Sequence, residues 1–315
     1  MTKRILAYLA LLTTVIIWGV AGPVIKVTLR DIQPFAFLAL RFFINVIIIS
    51  PILYFYLKKH PIRWGDLPRL SLLTLLGTTI SLSLIFLGLE RTTVLDAVLI
   101  IATVPIFIVA GGALFLKEQV TNLEKAGLVL AFLGVLITIL QPVWEGGVFA
   151  QENLIGNLFI LASNVSWTTF TLLSKKDYQH HSPFLITSAS FILGFLAFIP
   201  LALIESPSFL TTIYQLPTTA FLGVLYMSLL SSIVAYLTYA WGLSKIEASE
   251  AALFLYLEPL FAAPFAYLWL GEAVTTTFLI GAAVIAFGVI LTEYRPPHLR
   301  RGYGGRARIA HLRHR

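Results

Sequence analysis

Long runs of apolar residues, separated by short polar connectors, follow one another along almost the whole chain. Ten such runs can be counted, near residues 5–25, 34–57, 68–88, 93–116, 124–141, 153–174, 183–204, 216–242, 249–270 and 275–293. A helix needs roughly 20 apolar residues to cross a hydrocarbon core of about 30 Å. The runs are continuous, which excludes the alternating strands of an outer-membrane barrel. Because lipid offers no water to backbone groups, the runs are predicted to be helices.

The composition excludes the alternative of a large soluble all-α protein. Of the 315 residues, 58% are hydrophobic and 12% are charged, whereas soluble domains are usually about 45–50% apolar and about 25% charged. The short connectors leave no room for a soluble domain between the runs. The chain has no cysteine, so disulfides and thiolate metal sites are excluded. We therefore predict an all-α polytopic membrane protein with ten transmembrane helices.

The basic residues are distributed unevenly between the connectors. If the N-terminus is cytoplasmic, 18 of the 22 Lys and Arg residues lie on the cytoplasmic side, three lie outside, and Arg41 falls within a run. Because basic residues accumulate in cytoplasmic loops, both termini are predicted to be cytoplasmic. The first run is longer than the core of a signal peptide, so we expect it to be retained. The basic tail, residues 295–315, is predicted to be disordered and to lie near anionic lipid, and we expect no nucleic-acid partner.

The two halves of the chain resemble each other. The segment that begins at Trp18 matches the segment that begins at Trp167 at a constant shift of 149 residues, and a later block matches at a shift of 154. We predict two repeats, residues 1–142 and 150–294, of five spans each. Because five is odd, the second copy must enter the membrane inverted, as in many secondary transporters, whose substrate site lies between the halves near the midplane. The matched pairs include Lys26 with Lys175, Phe42 with Phe191, Gly88 with Gly242, Pro105 with Pro259, Glu118 with Glu272, and Gly134 with Gly288.

Short motifs occur in a regular order along the two halves. They are Trp18-Gly19, Leu40-Arg41-Phe42, Pro105 with Lys117-Glu118, Glu258-Pro259, Leu270-Gly271-Glu272, and the span that contains Gly281 and Gly288. In this order and spacing, the chain resembles the EamA-type carriers of the drug/metabolite transporter superfamily over residues 5–293. The resemblance implies a bacterial inner-membrane carrier, often an exporter of amino acids, related metabolites or drugs, with helices around a central cavity. Where such carriers often show Glu-Pro in both halves, the first half here has Val104-Pro105.

Two charged residues lie inside predicted spans. Glu258 lies about nine residues, or roughly 14 Å, into the ninth run, which places it near the midplane. A charge at the bilayer centre costs roughly 2.5–3.5 kcal/mol, so such residues usually face a cavity or a partner. We expect Glu258 to contact a substrate amine or to couple protons, and Arg41 to bind a substrate carboxylate. The alternatives are a protonated structural Glu258, an ion pair between the two residues, and an Arg41 that packs helices or extends to the interface.

Proline, aromatic and small polar residues supply further candidates. Pro105 and Pro259 are predicted to kink their helices, because proline removes a helical hydrogen bond and crowds the carbonyl four residues back. Glycines spaced by seven residues in the fifth and tenth runs are predicted to allow close helix contact, either within the monomer or in a homodimer. The other candidates for the cavity wall, each with helix packing as its alternative, are Trp18, Trp167, Tyr236, Tyr239, Tyr256, Asn45, Asn164, Ser190, Ser231 and Ser232.

The sequence thus predicts a secondary transporter that exports small amphipathic metabolites, such as amino acids or drugs, by alternating access. Its expected partners are a small-molecule substrate and the lipid bilayer, with a homodimer left open. We expect no metal, cofactor or catalytic residue, because the chain contains no Gly-rich phosphate loop, Ser-centred elbow or HExxH motif. The alternatives are a polytopic membrane enzyme, a lipid-linked sugar flippase and a partner subunit.

Overall fold

The computed structural model describes residues 3–115, 122–145, 150–246 and 248–293, and these residues form an all-α fold. Seven of the described helical segments are long and apolar enough to cross a membrane, and two shorter apolar helices, Phe254–Leu270 and Thr276–Gly288, lie near the C-terminal end. The predicted all-α polytopic fold is confirmed. The candidates Lys117 and Glu118 and the tail at 295–315 lie outside the described residues.

The helices group into ten spans. In the first half, span 1 is Lys3–Thr28, span 2 is Pro34–Lys59, span 3 comprises Leu67–Thr74, Leu75–Ile80 and Ser81–Arg91, span 4 comprises Val94–Ile101 and Val104–Phe115, and span 5 is Asn122–Glu145. In the second half, span 6 is Ala150–Asp177, span 7 is Pro183–Glu205, span 8 comprises Thr218–Leu225, Tyr226–Val234 and Ala235–Lys245, span 9 comprises Ala248–Ala252, Leu253–Leu257 and Glu258–Leu270, and span 10 is Thr276–Glu293. The short helices Trp64–Asp66 and Phe209–Tyr214 lie in connectors.

Span 6 is long enough to cross a membrane but is more polar than the other spans. It contains 28 residues, and several of its polar side chains are buried against other helices rather than exposed to lipid. These buried residues are Asn157, Ser163, Asn164, Ser166, Thr168, Thr171 and Ser174. Asn157, Asn164 and Ser166 donate to carbonyl groups of spans 5, 4 and 3, so the polar face of span 6 packs against the rest of the bundle.

The contacts between spans follow the internal repeat. Span 1 packs on spans 8 and 9, and span 6 packs in the same way on spans 3 and 4. Span 2 packs on span 7, and span 5 packs on span 10. Exchanging each span with the span five places along the chain therefore reproduces the packing pattern. This is the relation expected of two similar halves that meet around a common axis.

A lysine contact recurs in both halves. Lys26 Nζ in span 1 donates to the Leu89 carbonyl at 2.6 Å, and its counterpart Lys175 Nζ in span 6 donates to the Leu243 carbonyl at 2.7 Å. Leu89 and Leu243 lie near the C-terminal ends of spans 3 and 8, where unpaired carbonyls and the negative end of the helix dipole favour a cation. Because the repeats are inverted, the two contacts lie on opposite faces of the membrane.

Spans 2 and 7 stabilise each other's N-termini with different chemistry. The Glu205 carboxylate at the end of span 7 accepts hydrogen bonds from the backbone N–H groups of Phe35 at 2.8 Å and Ala36 at 3.1 Å. At the equivalent place in the other half, the Tyr56 hydroxyl lies 2.7 Å from the hydroxyl of Ser182, the N-cap residue of span 7. In each contact, a side chain near the end of one span stabilises the start of the other: N–H groups of span 2 in one half, and the N-cap residue of span 7 in the other.

Spans 5 and 10 approach each other closely through glycine. A Cβ atom added at Gly134 would lie 2.8 Å from the backbone nitrogen of Ile285 and 3.0 Å from the Gly281 carbonyl oxygen. A Cβ atom added at Gly288 would lie 2.5 Å from the backbone nitrogen of Ala131. The glycine pattern of the sequence therefore serves helix contact within the monomer, and this face is covered by the chain itself.

Replacing Gly134 by Ala is expected to lower the midpoint of thermal unfolding in detergent. The added methyl group has no room between spans 5 and 10, and overpacking of this kind typically costs about 1–3 kcal/mol. The matched control is Gly65→Ala, because nothing lies within 4 Å of a Cβ atom at Gly65. Equal midpoints for the two variants would show that the helices can separate at no cost.

Candidate functional site

Spans 4 and 9 are interrupted at equivalent positions. Span 4 restarts as a helix at Val104, and span 9 restarts at Glu258 after a short 3₁₀ segment. Pro105 and Pro259 each follow in the first turn of the new helix, where an N–H group would have no partner within the helix. The prolines therefore begin second half-helices rather than kinking continuous ones. Interrupted helices of this kind typically line the substrate sites of transporters.

A cavity of about 110 Å³ lies between the two halves, beside both interruptions. Spans 1, 2, 3, 4, 6, 8 and 9 contribute to its wall, which is mostly apolar. The residues predicted from the sequence that line it together are Trp18, Arg41, Asn164, Trp167, Ser231, Tyr236 and Glu258. The polar side chains of the wall are Arg41, Ser81, Ser163, Asn164, Ser231 and Glu258.

Arg41 is buried in span 2, with only 1% of its surface exposed. Its Nε group donates to the Ser232 hydroxyl at 2.7 Å, while its Nη1 group is buried without a hydrogen-bond partner. This burial excludes the alternative in which Arg41 extends to the membrane interface. A buried donor without an acceptor is costly, and Nη1 is such an unused donor on a residue of the cavity wall.

Glu258 lies on the wall of the same cavity and is 6% exposed. It stands at the start of a half-helix, where the positive end of the helix dipole favours a carboxylate. In the described part of the chain, the ion pairs join other residues, and Glu258 and Arg41 do not pair with each other. The guanidinium group and the carboxyl group thus share one cavity without contacting each other.

Four aromatic rings, Trp18, Trp167, Tyr236 and Tyr239, pack together at one end of the cavity, and we call them the aromatic floor. Trp18, Trp167 and Tyr236 line the cavity, and Tyr239 lies behind them. Each tryptophan ring lies within 5.8 Å of the other tryptophan and of both tyrosines, measured between ring centroids. Trp18 and Trp167, which the repeat relates, meet edge to face. Trp18 Nε1 also donates to the Ser231 carbonyl at 3.1 Å. The floor therefore ties spans 1, 6 and 8 together.

The two sides of the aromatic floor differ. On one side, the cavity extends along span 1 from Trp18 to Ile25 and reaches Leu89 near the end of span 3. On the other side, a buried apolar cluster that includes Leu11, Leu172 and Ala251 fills the space between the halves. The cavity is thus closed towards the face where span 1 begins.

Comparison with known proteins identifies the fold family. Both halves of the chain match the model of the EamA-like transporter family, at residues 5–140 and 154–294. The chain belongs to the EamA-like transporter family. The resemblance seen in the sequence is confirmed, and the protein is a multi-pass membrane transporter rather than an enzyme.

Relatives of this transporter align along nearly their full length. An uncharacterized transporter of Archaeoglobus fulgidus is 29% identical over 295 residues, which cover 90% of this chain and 96% of the relative. The uncharacterized transporter YoaV of Bacillus subtilis is 25% identical over 287 residues, which cover 91% of this chain and 96% of YoaV. A crystal structure with 19% sequence identity has the same fold, with a TM-score of 0.61 over 91% of this chain and 95% of the other.

Three predicted site residues of the transporter have other positions or roles. Tyr239 and Tyr256 do not belong to the cavity wall. Tyr239 is the member of the aromatic floor that packs in the apolar cluster, and Tyr256 lies in the 3₁₀ segment of span 9. Asn164 lines the cavity, but its Nδ2 group donates to the Ile100 carbonyl at 2.7 Å. Since Ile100 lies in the last turn before the interruption of span 4, Asn164 stabilises the broken helix.

Two serines that line the cavity, Ser81 and Ser163, are not among the residues predicted from the sequence. Ser81 is 1% exposed, and its hydroxyl has no hydrogen-bond partner, whereas Ser163 donates to the Ile160 carbonyl of its own helix at 2.7 Å. The sequence of an apolar helix does not indicate which way a single serine faces. Only the packing of the helices shows that Ser81 and Ser163 face the cavity. Among the described residues, no group of three His, Asp or Glu side chains could hold a metal ion.

Proposed function

We propose that this transporter carries small zwitterionic metabolites with an apolar side chain, of which aliphatic amino acids are the simplest. The observation that carries the proposal is the presence of Arg41 and Glu258 on the wall of one cavity without an ion pair between them. A buried charge is costly unless it is paired. One zwitterion would supply both missing partners, with its carboxylate at Arg41 Nη1 and its ammonium at Glu258.

The size and wall of the cavity favour a small metabolite over a drug. The volume of about 110 Å³ is below the roughly 300–1,000 Å³ of typical sites for drug-sized ligands. Aliphatic side chains such as Ile25, Leu82 and Ile85 line the same cavity. These side chains suit the apolar part of an amphipathic substrate, because burying it removes apolar surface from water.

We further propose alternating access, with export as its direction and both termini in the cytoplasm. The excess of basic residues in the connectors on the N-terminal side supports this orientation. With the N-terminus inside, the aromatic floor closes the cavity towards the cytoplasm in the present conformation. Two inverted halves with equivalent contacts can exchange roles, which would close the outer side and open the inner one. Proton binding at Glu258 is the proposed coupling step.

The proposal is tested by binding of L-leucine, isopentylamine and isocaproate to the purified transporter, measured by calorimetry. The amine lacks the carboxylate of leucine, and the acid lacks its ammonium. Because a hydrogen bond to a charged group contributes about 1.5–3 kcal/mol, leucine is expected to bind at least about tenfold more tightly than either analogue. Flux of bound compounds in proteoliposomes then tests transport. Equal binding of leucine and one analogue, or no binding of leucine, would overturn the zwitterion proposal.

A further inference from the structure

Span 8 contains a wide helical turn beside the cavity. Its π-helical segment, Tyr226–Val234, has nine residues, whereas the corresponding segment of span 3, Leu75–Ile80, has six. Single π-helical turns within α-helices are frequent at functional sites. The longer π-helical segment in span 8 contains Ser231, which lines the cavity, and Ser232, which contacts Arg41.

The hydroxyl of Ser232 has both of its roles defined. Two acceptors are available for its proton: the carbonyl of Met227, five residues back, at 2.9 Å, and Asn45 Oδ1 at 3.0 Å. Because a hydroxyl has one proton, its oxygen is left to accept from Arg41 Nε, at 2.7 Å. Ser232 itself is fully buried, so its contact with Arg41 is shielded from solvent.

The contact at Nε fixes the whole guanidinium group. The group is planar, and its five N–H donors have a rigid arrangement. Once Nε is held by Ser232, the direction of Nη1 follows, and Nη1 is the buried group that lacks a partner. The arrangement occurs in one half only, because the repeat places the neutral residue Ser190 in span 7 where span 2 has Arg41.

We infer that Ser232 is a positioning residue for substrate recognition, which holds Arg41 so that Nη1 faces the anionic group of the substrate. This inference rests on the proposed binding of a carboxylate by Arg41. It also defines one orientation for the substrate, since a second arginine is missing at Ser190. The anionic end binds next to spans 2 and 8, and the ammonium binds at span 9.

The test compares leucine and isopentylamine binding to the full-length variants Ser232→Ala and Ser232→Thr. Loss of the acceptor in Ser232→Ala is expected to weaken leucine binding about tenfold and to leave the affinity for isopentylamine unchanged, because the amine has no carboxylate. Ser232→Thr keeps the hydroxyl and is expected to restore leucine binding. The control is Ser228→Ala, because the Ser228 hydroxyl donates at 2.7 Å to the Val224 carbonyl of its own helix and does not contact Arg41.

The outcomes separate the inference from the proposed function. If the unmodified transporter binds leucine no more tightly than isopentylamine, carboxylate recognition by Arg41 fails, and the inference fails with it. If the unmodified transporter discriminates and Ser232→Ala still does so to the same extent, only the positioning role fails. Equal weakening of leucine and isopentylamine by Ser232→Ala, without rescue by threonine, would show a purely structural role and would also overturn the inference.

Discussion

Replacing Glu258 by Gln is expected to lower the initial rate of leucine transport in proteoliposomes on the order of 100-fold. Glutamine keeps the size of the side chain but loses the charge that the substrate ammonium would contact. Truncating one partner of a buried charge pair typically costs 2 kcal/mol or more, which supports an effect of this size. Any activity that remains is expected to be less dependent on pH, because the proposed proton-binding group is absent.

The control for this prediction is Glu90→Gln. Glu90 is an exposed carboxylate that pairs with Arg91 at 2.7 Å, and it does not line the cavity. The two variants remove the same charge, so a general effect of charge on insertion would appear in both. Full, pH-dependent transport by Glu258→Gln would contradict both substrate contact and proton coupling at this residue.

Opening the aromatic floor is expected to change the face from which the cavity can be reached. The double variant Tyr236→Leu, Tyr239→Ile gives span 8 the residues that span 3 carries at the equivalent positions, Leu82 and Ile85. Each aromatic pair contributes about 0.5–1.5 kcal/mol, and the two tyrosines make four such pairs with the tryptophans. Loss of these pairs is expected to shift the equilibrium towards the inward-open state by about 100-fold.

Single cysteines can report this shift directly, because the chain contains no other cysteine. Val98 lines the cavity and is 5% exposed, whereas its repeat counterpart Ala252 is 1% exposed in the apolar cluster beyond the floor. We expect Val98→Cys to react with an impermeant thiol reagent from outside and Ala252→Cys to be protected. In the double variant, Val98→Cys becomes protected and Ala252→Cys becomes reactive from inside.

A tyrosine distant from the floor supplies the control for these measurements. Tyr54 in span 2 is 56% exposed on the outer surface of the bundle, so Tyr54→Leu is expected to leave both labelling rates unchanged. If the double variant also left both rates unchanged, the aromatic floor would not control access.

The sequence predicts the spans and the repeat well, because both depend on properties of the chain itself. A run of apolar residues identifies a helix in lipid without knowledge of its neighbours. Likewise, the cost of a charge at the bilayer centre indicates that Arg41 and Glu258 face the protein interior. Both residues do line the cavity. The shift between the halves also relates Trp18 to Trp167, which meet in the structure.

Which side chains face the cavity depends on how each helix is rotated about its own axis. The sequence of an apolar helix carries little information about this rotation. Tyr236 and Tyr239 are three residues apart in span 8, yet only Tyr236 lines the cavity. The hydrogen bond from Arg41 to Ser232 also depends on a π-helical turn, for which no pattern of apolar and polar residues gives a signal. Similarly, Pro259 indicates a disturbance of span 9, but packing determines that the disturbance is a 3₁₀ turn before the proline.

The matched contacts of Lys26 and Lys175 have a kinetic consequence. Each ammonium binds carbonyls at the end of a neighbouring helix. A movement that separates span 1 from span 3, or span 6 from span 8, must therefore transfer an ammonium and its carbonyl partners to water. Because the two contacts are equivalent, the free-energy cost is similar on both faces. In the proposed alternating access, the lysines thus slow the exchange between the two access states without favouring either of them.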